Sequence, residues 1–278
     1  LESKTEAVTR RVEQAGGSWE DAFFMTLARN FGFGVNGDAF ERWAANVPLR
    51  CVDHHRDNAF QIEALFMGQA GLLNDAAIPT RHREAAMAES YFGQLKKEYT
   101  YLAHKFNLQP LDPSLWLFLR LRPQNFPHIR LSQLAMLHHS RRASLANIVA
   151  CENLAQLRKA LATQVSTYWQ THYVFGGESK GSDKALSTVS RDVLILNTVV
   201  PVLFAYGRHR HNEALCDRAF QLLDELKAED NHIVRMWKAC GLEVNNAGDT
   251  QALIQLKNEY CDRKNCLRCR IGYEYLRR

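Results

Sequence analysis

The sequence predicts an all-α protein of about ten helices, on three observations. Apolar residues recur at helical spacing from end to end, capping residues stand at the head of most of these runs, and glycine or proline punctuates them. The 278 residues, 46% hydrophobic and 23% charged, have the composition of an ordinary folded chain, and no fixed-period repeat suggests a solenoid. With only 15 glycines and 7 prolines, collagen-like and linker-like classes fall away. No apolar run reaches the ~20 residues of a membrane span, so no membrane partner is expected. The expected organisation is one helical domain over 1–278 with a cysteine-containing segment at 257–278.

Leu1 to Gln14 reads as a polar amphipathic helix stopped by Gly16 and Gly17. It lacks the apolar core of an export signal, which makes a cytoplasmic location the expectation. Ser18, with Asp21 three residues on, caps a helix through Phe23 and Leu27. A loop at Phe31 to Gly37 precedes a short helix with Phe40 and Trp43, and Asn58 starts one with Ile62, Leu65 and Phe66 on a single face. Thr80 opens a long helix to Asn107.

From Ser114 to Arg122 four leucines alternate strictly with Trp116, Phe118, Arg120 and Arg122. That period belongs to a strand, while the lack of a partner strand leaves a short buried helix as an equal alternative. Either way, Leu117 and Leu119 are expected to be buried. Pro127 opens a helix to Arg142, Ser144 a short one, and Asn153 one reaching Tyr173. Phe175 to Ser190 forms the longest polar loop. The run DVLILNTVVPVLFAYG after Arg191 reads as a buried helix kinked at Pro201. Helices over 212–228, 231–240 and 249–260 complete the set.

The stretches LARNFGFGVNGDAFERWA, FQIEALFMGQAGLL, FLRLRPQNFPHIRLSQLA and YWQTHYVFG resemble the bacterial family known as domain of unknown function number 2851, over nearly the whole chain. The resemblance implies a helical C-terminal part of a longer protein, whose upstream β-containing portion carries nuclease-like carboxylate motifs. None of those carboxylates is present in this chain, so the resemblance assigns no catalytic residue. It makes the upstream domain of the same protein an expected partner.

Charge is concentrated in one segment. Pro113 to Cys151 holds no acid, while Arg120, Arg122, Arg130, Arg141 and Arg142 supply the whole net charge of +5. On a helix from Pro127, Arg130 and Arg141 fall within ~20° of one face. Arginines beside Trp116 and Phe118 suit a nucleic-acid backbone and base stacking, so DNA or RNA is the expected partner. The competing expectation is a structural or protein-interaction domain whose arginines pair internally with acids such as Glu63 or Glu98.

The seven cysteines are odd in number and unevenly spaced, which argues against a disulfide framework. Cys261, Cys266 and Cys269 form CxxxxCxxC, three thiols within nine residues, so zinc or an iron-sulfur cluster is the expected cofactor, with His232 or an upstream residue as fourth ligand. The alternative is inert thiols in a terminal turn. Gly32, Gly34 and Gly37 spell GxGxxG, but they follow a helical run where the dinucleotide fingerprint must follow a strand, so no nucleotide cofactor is expected. The run from Asp53 to Asp57, with His54, His55 and Arg56 between, reads as a solvated helix start. No nucleophile, base and orienter stand in a recognisable spacing.

Overall fold

The helices begin where capping residues stand. Ser18 Oγ accepts the Asp21 amide at 3.2 Å, Asn58 Oδ1 those of Phe60 and Gln61, and Asn153 Oδ1 that of Gln156; each satisfies a donor that an uncapped helix would leave unpaired. The structure, a computed structural model, describes residues 1–277. Among them 67% are helical and the sheet has two strands, so the all-α class holds. The chain divides into two compact units, Leu1–Tyr206 and Gly207–Arg278.

The first unit contains α1 (Glu2–Gln14), α2 (Trp19–Phe31), α3 (Gly37–Asn46), α4 (Leu49–His54), α5 (Ala59–Gln69), α6 (Thr80–Ala88), α7 (Ser90–Phe106), α8 (Pro127–His139), α9 (Leu145–Ala150), α10 (Leu154–Ala160), α11 (Thr167–Gln170), β1 (His172–Val174), β2 (Gly177–Glu178) and α12 (Thr188–Leu194). Helix α13 (Val200–His209) follows a π turn over Ile195–Val199. The largest fully buried side chains of this unit are aromatic, among them Phe23, Phe31, Phe40, Trp43, Phe66 and Trp169. Helix α5 packs on α7 and α8, and α2 on α3.

Two expected helices are broken by tertiary contacts. The stretch from Thr80 to Asn107 parts at Glu89, whose backbone is extended. Its carboxylate accepts the Tyr168 hydroxyl and lies 3.2 Å from His172 Nε2. The stretch from Asn153 to Tyr173 parts after α10, where the chain pairs instead with the long polar loop, Leu186 N–H donating to Thr163 O and Ser182 N–H to Gln170 O. The hairpin turn at Gly176 has φ +69°, and a Cβ there would sit 2.3 Å from the His82 carbonyl of α6. Glycine is therefore required for so close an approach.

Ahead of Pro201 the helix takes a π turn over Ile195–Val199. Proline has no N–H to give the carbonyl of residue 197. The Asn30 amide donates to that carbonyl instead, at 3.0 Å, and also to Thr198 Oγ1. The continuous helix Thr188–His209 contains an 18-residue window of mean hydropathy 1.5 and is long and apolar enough by length and composition to cross a membrane, contrary to the expectation from sequence. Of that window, 56% is buried inside the protein, and Ile195, Val199 and Val200 belong to the core.

The second unit holds α14 (Glu213–Glu225), α15 (His232–Ala239), α16 (Ala247–Gln255) and α17 (Arg270–Leu276). Trp237 of α15 donates its indole N–H to Leu253 O of α16 at 3.3 Å, and Asn246 caps α16 through the Asp249 amide.

His128 of α8 lies among Phe118, Trp169 and Phe175, and its Nδ1 has no hydrogen-bond partner. Burial pushes its pKa down to about 3. Between pH 3 and 6.5 the unfolded chain binds this proton and the folded one does not, so stability falls on acidification across that window. At pH 5 the loss is about 2 kcal/mol. His128→Phe is expected to remove it, seen as a smaller difference between urea midpoints at pH 7 and pH 5 than in the unsubstituted protein.

Candidate functional site

The five arginines of the acid-free segment separate along α8. Arg130 is 6% exposed. Its guanidinium donates to Gln133 Oε1 at 2.8 Å and Asn125 Oδ1 at 2.5 Å and lies 4.2 Å from the centre of the Phe33 ring. Burial lowers its pKa to about 10. It is therefore no part of a surface stripe, and Glu in its place would put an uncompensated negative charge in the core.

At the C-terminal end of α8, Arg141 pairs with Asp57. Arg142 donates to the Ala162 carbonyl at 2.7 Å, past the end of α10. Helix α8 stops at His139, and Arg141 lies beyond it with φ 59°, so the single face computed for Arg130 and Arg141 does not exist. Arg120 and Arg122 precede the N-terminus of α8, ~20 Å away along a 13-residue helix. Both are exposed. Neither pairs with Glu63 or Glu98: Glu63 accepts the Ser166 and Tyr91 hydroxyls, and Glu98 accepts the Gln61 amide at 2.8 Å.

Ser114 to Arg122 is neither a paired strand nor a buried helix. After a 3-10 turn over Pro113–Leu115 the backbone is extended at Trp116. Trp116 points inward, 4% exposed, its indole N–H donating to Ala70 O at 2.8 Å and its ring 5.0 Å from that of Phe40. Phe118 is half-buried against Phe126 and His128. The intervening leucines point outward: Leu117 is 52% and Leu119 88% exposed. The expectation that they are buried is thus overturned.

This outward loop is fixed from beneath by Asn36. The Asn36 amide donates to Leu117 O at 2.9 Å, and the Leu117 N–H donates to Asn36 Oδ1 at 2.9 Å. Asn36 occupies the N-cap position of α3 yet caps nothing, because its side chain is committed to this pair. The glycines of the GxGxxG stretch build its support. A Cβ on Gly32 would lie 2.5 Å from the Asn36 carbonyl carbon, and Gly34 has φ +93°. At the other end of the loop, Arg120 is held at φ 63°, a conformation uncommon for a side chain of its size.

In the second unit, Cys261, Cys266 and Cys269 line one apolar pocket with Trp237, Tyr260 and Ile271. His232, at the start of α15, is not among its lining residues. Among the described residues no three His, Cys, Asp or Glu side chains are grouped so as to hold a metal ion.

The fold defines an irregular all-α protein with an apolar and basic loop held by Asn36. A family model described as Protein of unknown function (DUF2851) matches residues 1–232, and the chain belongs to that family. No curated protein and no solved structure matches the chain.

The inward and outward side chains of the loop should separate in stability measurements. Trp116→Ala is expected to cost ~3–5 kcal/mol in denaturant unfolding, through the cavity left beside Phe40 and the orphaned Ala70 carbonyl. Leu119→Ser is expected to stay within ~0.5 kcal/mol.

Proposed function

We propose that this chain is a recognition module that takes up an acidic partner protein on the loop from Leu117 to Arg122. The observation that carries this reading is a held backbone presenting two leucines outward beside two arginines that have no acidic partner among the described residues. Solvent-facing leucines on a fixed loop lose apolar surface to water only when something covers them, at roughly 25 cal/mol per Å². Rigid presentation lowers the ordering cost of binding. The arginines select for carboxylates at the rim.

DNA or RNA is the second reading, favoured by the absence of acids from Pro113 to Cys151. The side chains fit it less well. Single-strand recognition stacks bases on exposed aromatics, whereas Trp116 is buried and Phe118 half-buried here.

Fluorescence anisotropy with a labelled acidic peptide of alternating Glu and Leu, and with a single-stranded DNA oligonucleotide, separates the two. The peptide is expected to bind, and Leu119→Ser and the pair Arg120→Glu, Arg122→Glu are each expected to weaken it roughly tenfold or more. Binding of DNA alone, insensitive to Leu119→Ser and falling with salt at a log-log slope of about −0.7 per phosphate, would replace this reading with the nucleic-acid one. Binding of neither probe would remove both.

A further inference from the structure

A second set of chemical groups meets at the opposite end of α8, unconnected with the loop. A cleft of about 340 Å³ opens between the start of α2, the end of α4, the end of α8 and the start of α9. Its floor is apolar, with Phe23, Phe24, Leu49 and Leu137, and its walls bear Glu20, Asp53, Arg56, His138 and Arg141. An apolar pocket with a few convergent polar groups is what a small-molecule site requires.

The run from Asp53 to Asp57 is not a helix start. Helix α4 ends at His54, which puts the Asp53 carboxylate at the negative end of that helix, where a charge of its sign is disfavoured. What holds it there is His138, whose Nε2 lies 3.2 Å from Asp53 Oδ1. The pair is braced next door by His139, which donates from Nδ1 to the Arg56 carbonyl at 2.8 Å. The rings of Phe24 and Phe66 pack on the His138 imidazole at 6.0 Å.

With Nε2–H given to Asp53, the free nitrogen of the imidazole is Nδ1. Among the described residues Nδ1 makes no hydrogen bond, and the His138 side chain, 20% exposed, lines the cleft. Burial holds the imidazole below its usual pKa, with Asp53 working against that shift and Arg56 and His139 adding to it. The ring is neutral near pH 7 and its Nδ1 is a base. Across the cleft, burial raises the pKa of Glu20, whose carboxylate accepts the Leu145 amide at 3.0 Å and feels both Asp53 and Asp21. Arg141 is committed to Asp57. Arg56 is exposed and makes no side-chain hydrogen bond or ion pair among the described residues.

We infer that this cleft is a proton-transfer site for a small ligand bearing a carboxylate or phosphate, with His138 as base, Asp53 orienting it and Arg56 receiving the anionic group. The proton passes from a ligand or water O–H to His138 Nδ1, and the imidazolium formed keeps its Nε2–H on the Asp53 carboxylate. The O–H bond breaks with its electron pair left on the oxygen, no electron is transferred, and the oxygen is neutralised when a proton returns to it from the imidazolium or from solvent. The arrangement of base and orienting carboxylate follows from geometry alone and needs no help from the order of the residues along the chain.

The test is histidine-ring NMR on the full chain, titrated separately with inorganic phosphate and with acetate against sodium chloride of equal ionic strength. The expected result is a neutral His138 in the Nε2–H tautomer at pH 7, with saturable shifts of its ring and of the Leu145 amide on adding one anion or the other. The anion that acts identifies the ligand chemistry. Arg56→Ala, an exposed substitution that leaves the fold intact, is expected to weaken the response at least tenfold. Asp53→Ala is expected to abolish the preference for the Nε2–H tautomer. An Nδ1–H tautomer in the unsubstituted protein, no saturable response to either anion, or a response unchanged in Arg56→Ala would overturn the proposal.

Discussion

Two hydrogen bonds between one side chain and one residue's backbone determine what this protein shows to solvent. The Asn36 carboxamide meets both the N–H and the C=O of Leu117, as a neighbouring strand would. Asn36 is itself 2% exposed. Each bond contributes roughly 1 kcal/mol, and leaving the buried Asn36 carboxamide unpaired would cost ~1–3 kcal/mol for each of its groups. The pair fixes where Leu117 turns outward. Trp116 on one side and the left-handed Arg120 on the other complete the outward loop. The same glycine-containing stretch places Phe33 against the guanidinium of Arg130, so one interhelical loop supports both the outward loop and the start of α8.

The interior accommodates charge in an unusual manner. Arg130 has two neutral amides and an aromatic face in place of a carboxylate. Lys184, also buried, donates to the carbonyls of Trp169 at 2.5 Å and His172 at 2.8 Å and lies 3.9 Å from the centre of the Tyr173 ring. Burial lowers its pKa to about 8. Glu63 is wrapped by the hydroxyls of Tyr91 and Ser166, and burial raises its pKa. These groups rest on dipoles and not on opposite charges, and among the described residues Arg130 Nε is left without a partner.

The elements set by local chemistry were legible from the sequence, and those set by distant contacts were not. The caps at Ser18, Asn58, Ser144, Asn153 and Asn231 act through amides two or three residues away, and a local pattern suffices to find them. The period of two left a strand and a buried helix open, and the stretch is neither: it is extended at Trp116 between a 3-10 turn and a turn at Leu119–Arg120. The period could not report which face was inward, since leucines stand on one side and Trp116 and Phe118 on the other. The break at Glu89 depends on Tyr168 and His172, some eighty residues on, and nothing near Glu89 announces it. The same holds for the site residues. Asn36 is one residue of a loop until Leu117 arrives, and His138 looks like the tail of a helix until Asp53 meets it across 85 positions.

Hydrogen exchange of Asn36→Ala, followed at the Leu117 amide, is the most direct test of the claim that Asn36 holds the loop. The prediction is that Leu117 loses its protection by roughly tenfold or more while the amides of α5 and α8 keep theirs, a local opening without global unfolding. Unchanged protection at Leu117, or an equal loss across α5 and α8, would contradict it.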